Sequence, residues 1–106
     1  IKPARPDESV LLWRERSFAV SQPPDLLRGT FDRVVVWRDG DRFTRAEVTD
    51  FKTDSIGAGQ VGERVECYRE QILSYRRALA RMLGIPPEKV AARLLFTSVP
   101  ELVTLD

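Results

Sequence analysis

The chain reads as an α/β domain, a mixed β-sheet with one helix crossing its face. Three observations predict this. Val34-Val35-Val36-Trp37 and the run after Arg42 are rich in β-formers, and they flank Asp39-Gly40, a strong hairpin signal. One long stretch carries its apolar residues, Val65, Tyr68, Ile72, Tyr75, Leu79 and Met82, at spacings of 3, 4, 3, 4 and 3, which is the period of an amphipathic helix. A further β-rich run follows that helix, and a strand–helix–strand unit closes right-handed with parallel strands.

Taken in order, residues 1–8 (IKPARPDE) hold two prolines and four charges and read as a leading linker. The first strand runs from Ser9 to Val20, with Val10, Leu12, Phe18 and Val20 on alternate positions and therefore on one face. Gln22-Pro23-Pro24-Asp25 breaks it as a turn. Leu26 to Trp37 is the second strand and Arg42 to Lys52 the third, antiparallel neighbours across the Asp-Gly turn. Thr53 to Gly62 is a glycine-bearing loop. The helix spans Glu63 to Leu83, with Glu63, Glu66 and Glu70 early and Arg76, Arg77 and Arg81 late, as its dipole prefers. Gly84 stops it and Pro86-Pro87 forbids its continuation. Val90 to Val99 forms a fourth strand, and Leu102 to Leu105 a short fifth beyond Pro100.

Composition narrows the chemistry. At 106 residues, 42% of them hydrophobic and 31% charged, the chain suits one globular domain. No apolar run reaches the length of a membrane span and no stretch reads as a signal peptide, so a cytoplasmic location is expected. One cysteine, Cys67, excludes an internal disulfide and a thiolate metal cage. The absence of histidine excludes Ser-His-Asp and Cys-His nucleophiles and HExxH zinc sites within this sequence. Seventeen basic residues against 16 acidic ones leave a net charge of +1, so any nucleic-acid contact is a local patch.

Gly57-Ala58-Gly59-Gln60-Val61-Gly62 spells GxGxxG between a strand and a helix. Its context speaks against dinucleotide binding. The preceding strand ends in charged residues, the loop is long, and no acidic residue between Ala78 and Leu83 is placed for a ribose. The stretch is read as a flexible loop.

The chemistry gathers at the end of the third strand. Asp50 and Lys52 alternate with Phe51, so the charged pair shares one face, and Phe51 is expected to point oppositely into the core. Asp32 lies on the neighbouring strand, about 7 residues before the hairpin turn where Asp50 lies about 10 after it. A modest register shift brings both carboxylates to one end of the sheet. Two such carboxylates with a backbone carbonyl between them make an oxygen-rich site suited to Mg²⁺. Gln71 and Tyr75 sit one helical turn apart on one face, and a polar Gln there requires a specific partner. Trp13, Trp37 and Tyr68 are read as packing residues, with base stacking as the alternative.

Together these residues resemble the RecB-like nucleases of the PD-(D/E)XK superfamily, nearest to the C-terminal nuclease domain of AddA/RecB-type helicase–nucleases. The resemblance rests on Glu15-Arg16-Ser17-Phe18 for the family's E-x-x-F and on Gly29-Thr30-Phe31-Asp32-Arg33 for its G-x-x-D-R. Asp50-Phe51-Lys52-Thr53 matches D-[YF]-K-T, and the segment Gln71 to Leu79 matches Q-L-x-x-Y-x-x-A-L. Leu94-Leu95-Phe96-Thr97 and Leu102-Val103-Thr104-Leu105 look like the family's closing strands, so the likeness spans Trp13 to Leu105.

What the resemblance implies is a restriction-endonuclease-like fold and a DNA exonuclease activity that hydrolyses phosphodiester bonds with Mg²⁺ or Mn²⁺. Asp32, Asp50 and the carbonyl of Phe51 would bind the metal, and Lys52 would position the attacking water and stabilise charge on the phosphate. Gln71 and Tyr75 would orient the site or hold the DNA backbone, and Glu15 would support the site or touch substrate. The implied partners are DNA, a helicase region of the same polypeptide and a second helicase–nuclease subunit, in break repair and recombination. The family's first core helix, which commonly supplies a histidine ligand, is expected upstream of this sequence, as part of a longer chain. A catalytically weak nuclease-fold module that binds DNA or a partner subunit is the alternative.

Overall fold

A computed structural model describes residues 8–105. The leading linker therefore lies, apart from Glu8, outside the described residues. The elements are β1 (Ser9–Gln22), β2 (Asp25–Asp39), β3 (Arg42–Lys52), α1 (Val61–Leu83), β4 (Val90–Phe96) and β5 (Glu101–Leu105). They form a five-stranded sheet in the order β1-β2-β3-β4-β5. β3 and β4 are parallel and joined across one face by α1; the other neighbours are antiparallel. Both the hairpin at Gly40, whose φ of 61° lies in the left-handed region, and the parallel crossover match the sequence expectation.

One face of the sheet is dry. Val34 and Val36 of β2, Ala46 and Val48 of β3, and Val90, Ala92, Leu94 and Phe96 of β4 pack against Val65, Ile72 and Leu79 of α1. The helix ends as its sequence dictates: Gly84 adopts φ 68°, and the Ile85 N–H donates to the Ala80 carbonyl at 3.0 Å. Met82, expected on the core stripe, is exposed, and Leu83 is buried in its place. A 3-4 repeat advances slightly less than an α-helix turns, so after several turns the buried face has moved on by one residue.

The first strand departs from simple alternation. Val10 and Leu12 are 47% and 46% exposed, whereas Phe18 and Val20 are buried. Leu11 and Trp13 are the residues that pack on the core. The switch of face falls at Glu15, a non-glycine residue with φ 46°. Opposite it β2 switches too: Phe31 joins Val34 and Val36 in the core, although strict alternation would exclude it. The β1–β2 ladder carries no pair between Arg14–Arg33 and Arg16–Phe31. This kink lets the β1–β2 hairpin fold its Phe18 and Phe31 rings, stacked at 4.2 Å, over the side of α1.

Among the described residues, the opposite face carries no helix. Val35 and Trp37 are buried there under long side chains, with the Arg45 guanidinium 4.1 Å above the Trp37 ring and Arg93 paired to Glu47 at 3.1 Å. Trp37 is thus packed away from any base, as the packing reading expects. Phe51 is 43% exposed on this face. The expectation that it enters the core fails because, among the described residues, a helix covers only the other side of the sheet.

Candidate active site at the fork between β2 and β3

The β2–β3 ladder begins at the hairpin in one register, shifts by one residue between Trp37 and Arg38, and ends at the pair Arg33–Thr49. The shift is the one the sequence spacing called for. It sets Asp32 and Asp50 in the next register position, where the two strands have parted. With β3 no longer offering it a ladder partner, Asp32 turns its carboxylate to β3's backbone: the Phe51 N–H donates to Asp32 Oδ2 at 2.7 Å.

Asp50 continues the buried row of Ala46 and Val48, and only 6% of its surface is exposed. Burial raises its pKa, and a hydrogen bond with the Asp32 carboxyl raises it further, to about 6, against the opposing pull of Lys52. Asp50 therefore meets a second carboxyl in a poorly solvated corner, where its own ionised form is disfavoured.

Lys52 sets a positive charge beside it. Its Nζ lies 2.7 Å from Asp50 Oδ2 and donates to Gln71 Oε1 at 2.8 Å. It also sits 4.0 Å from the centre of the Tyr68 ring. The Lys52 carbonyl accepts from the Thr97 N–H at 2.9 Å, which pins the strand end to the β4–β5 turn. The ammonium is thus fixed from three sides by a carboxylate, an amide oxygen and an aromatic face. Gln71 finds the specific partner that a polar residue at this helix position demands.

The remaining expected residues divide. Tyr75 packs edge-on against Phe18 and Phe31, at 5.2 and 5.8 Å between ring centres. Its hydroxyl oxygen lies 2.8 Å from where a Cβ on Gly29 would stand. It holds the kinked hairpin to α1 and makes no hydrogen bond to Asp32, Asp50 or Lys52 among the described residues. Glu15 faces Asp32 across the interrupted ladder and shares a groove of about 520 Å³ with Arg14, Asp32, Arg33 and Phe51. A larger concavity of about 660 Å³, between the β2–β3 turn and the end of α1, holds Asp41 and Lys89 but none of the residues just described. Among the described residues, no three His, Cys, Asp or Glu side chains gather as a metal cluster. Glu15 therefore does not complete a three-carboxylate cluster with Asp32 and Asp50.

Sequence reasoning missed the support around Tyr68. Its hydroxyl donates to both carboxylate oxygens of Asp54, at 2.8 and 3.0 Å, and Arg64 approaches the same carboxylate at 3.8 Å. The signal was present: Tyr68 lies three residues before Gln71 and so on the same side of the helix. The GxGxxG stretch is not an open loop. Gly57 to Gln60 form a tight turn, the Gly57 N–H donating to Gln60 Oε1 at 2.8 Å, that leads straight into α1.

No protein-family profile matches the chain. Over 85 residues it is 32% identical to a subunit of an ATP-dependent helicase/nuclease from Limosilactobacillus fermentum. That alignment takes in 76% of this chain and 6% of the relative, so the chain spans a small part of the relative's length. No helix among the described residues is long and apolar enough to cross a membrane. The fork with its buried carboxylate and fixed lysine thus belongs to a chain similar, through most of its length, to one portion of a helicase/nuclease subunit.

Proposed function

We propose that the chain is a PD-(D/E)XK-type nuclease domain of a cytoplasmic helicase–nuclease and hydrolyses DNA phosphodiester bonds with Mg²⁺ or Mn²⁺. The observation that carries this reading is the Asp32–Asp50–Lys52 constellation at the parted end of two strands. Asp50 is buried where its ionised form is penalised, and Lys52 neutralises it only in part. A site that holds two acids together at a cost to its own stability is built for a cation.

The donor chemistry fits that cation. Asp32 and Asp50 offer hard carboxylate oxygens, and the carbonyl of Phe51, next to Asp50 in the chain, would add a third, a set that suits Mg²⁺ or Mn²⁺ completed by water. Bound there, the metal would supply Lewis acidity toward the phosphate and a more acidic water. The chain's own residues do the rest. The Phe51 N–H orients Asp32, while Gln71 and the Tyr68 ring hold the Lys52 ammonium in place. A preoriented positive charge in a poorly solvated corner stabilises negative charge that builds on a phosphate during attack. Tyr75 acts by fixing the hairpin that carries Asp32, and Glu15 by shaping the approach to it.

The partners in this reading are DNA, a helicase region on the same polypeptide and a second helicase–nuclease subunit. Another reading, a nuclease-fold module that binds DNA or a partner without cutting, is favoured by one observation: only two carboxylates converge among the described residues. DNA cleavage separates the two. The nuclease reading expects Mg²⁺-dependent degradation of DNA by the wild type, lowered at least a hundredfold by Asp50→Ala and by Lys52→Ala. Equal residual activity in all three proteins would favour the binding module.

A further inference from the structure

Beyond β3 the chain is stapled to the turn between β4 and β5. The Thr97 N–H and hydroxyl donate to the Lys52 carbonyl at 2.9 and 3.3 Å, and the Ser98 hydroxyl donates to the Asp54 carbonyl at 2.6 Å. The Ile56 N–H donates to Ser98 Oγ at 3.5 Å. The Asp54 backbone therefore has a fixed place beside α1. From there its carboxylate accepts the Tyr68 hydroxyl on both oxygens, at 2.8 and 3.0 Å. The Tyr68 ring has two further neighbours: the buried Phe96 ring, 6.5 Å away between centres, and the Lys52 Nζ, 4.0 Å from its own centre. None of these contacts involves Asp32 or Asp50.

Lys52 is held by Asp50, Gln71 and the Tyr68 ring. A cation bound by the acidic pair competes with the ammonium for the Asp50 carboxylate, because two positive charges then share one anion. The holders that remain are Gln71 and the Tyr68 face. An aromatic face attracts a cation only while the cation stays over it, so the tilt of the ring has to be fixed. A carboxylate on the phenol hydroxyl pins the far end of the ring and enriches the electron density over its face, which strengthens the attraction. The same hydrogen bond lifts the Tyr68 pKa above its usual value, so the ring stays a neutral phenol.

We propose that Asp54 is a positioning residue for Lys52, acting through the Tyr68 hydroxyl to keep the ammonium aimed when a cation occupies the Asp32–Asp50 pair. The inference rests on the nuclease reading for what the ammonium is aimed at. It adds to that reading a support that stands outside the acidic fork and survives a change of partner at Asp50.

The test reads Lys52 directly, by proton–carbon NMR of the lysine ε-methylene groups in the full chain. There are three lysines, Lys2, Lys52 and Lys89, and Lys52→Arg assigns the signal by deleting it. Protons above an aromatic face move upfield, so the wild-type Lys52 signal is expected upfield of the other two, in EDTA and with Mg²⁺ alike. Tyr68→Phe and Asp54→Ala each move it back toward the others in EDTA, and at least halfway with Mg²⁺. The double variant moves it no further than either alone, and Asp54→Asn, which keeps an oxygen for the phenol, retains most of the wild-type shift. Neither Asp54 nor Tyr68 is fully buried, so the variants are expected to keep the fold by circular dichroism. In DNA cleavage both single variants lower kcat roughly tenfold, the range for one hydrogen bond to a charged group, with KM within about twofold of wild type. A Lys52 signal unmoved by Asp54→Ala and Tyr68→Phe would overturn the proposal. So would a double variant whose effect is the sum of the two, because Asp54 would then act by a route other than the hydroxyl. The two readings fail separately. No Mg²⁺-dependent cleavage by the wild type, with the EDTA signals moving as described, sinks the nuclease alone. Cleavage abolished by Asp50→Ala, with a Lys52 signal indifferent to Asp54 and Tyr68, sinks the positioning role alone.

Discussion

Asp50 is held in conflict. Its carboxyl is buried beside a second carboxyl, and its pKa rises from 3.8 to about 6 in the folded chain. The folded state therefore binds a proton more readily than the unfolded state between those values, so stability falls as pH rises through that window. For the metal-free protein, thermal unfolding in EDTA is expected to show a stability loss on the order of 2 kcal/mol between pH 4 and pH 7 from this group. Asp50→Asn removes most of that slope and unfolds at a higher temperature than the wild type above pH 7. A slope unchanged by the substitution would show that the carboxyl is not strained by its surroundings. At the same scale, Gln71→Leu is expected to leave the fold intact and to lower cleavage, because Lys52 loses the amide oxygen at 2.8 Å that fixes its direction. Steady-state kinetics should show the loss in kcat more than in KM, since a mobile ammonium weakens stabilisation at the transition state.

The elements explain how those residues meet. β2 and β3 part just beyond Arg33 and Thr49, and β1 and β2 change face together at Glu15 and Asp32. A left-handed backbone at a non-glycine residue costs roughly 1–2 kcal/mol. Glu15→Gly should thus unfold at or above the wild-type temperature, whereas Glu15→Val, branched at Cβ, should lose about 1–3 kcal/mol; equal losses in both would show that the kink carries no strain. Gly29→Ala forces a methyl to within 2.8 Å of the Tyr75 oxygen and 2.9 Å of the Phe18 ring. Denaturant melts should register about 1–3 kcal/mol of destabilisation there.

Much at this level was legible in the sequence. Asp39-Gly40 announced the hairpin, the 3-4 spacing and Gly84 announced the helix with its end, and the crossover rule announced the parallel β3–β4 pair. The face switch was not legible, because nothing in Glu15's identity signals a positive φ. Alternation read across it put Val10 and Leu12 on the face of Phe18. Phe51 was misplaced for a related reason: alternation says which residues share a face, but not that the described residues lay a helix on only one of the two faces. Tyr75 was expected beside the acidic residues, yet it packs on the Phe18–Phe31 stack, and Tyr68 faces Lys52 instead.

For the molecule as a whole, the near-zero net charge hides a division of labour. The helix side buries an apolar core and ends in the Asp50–Lys52–Gln71 cluster. The open side carries the Arg14–Arg33 pair, Phe51 and the exposed Val10, Leu12 and Leu102. The fork at Asp32 is where the two sides communicate. The sequence holds no histidine, and under the proposed function the two aspartates and the lysine would carry the chemistry within it. The central claim is that the Asp32–Asp50 pair binds a divalent cation. Calorimetric titration of Mn²⁺ into the wild type, Asp32→Ala and Asp50→Asn addresses it most directly. One saturable site in the wild type, lost in both variants while each keeps its fold by circular dichroism, is the predicted result. Heats of binding that are the same in all three proteins, or absent from the wild type, would contradict it.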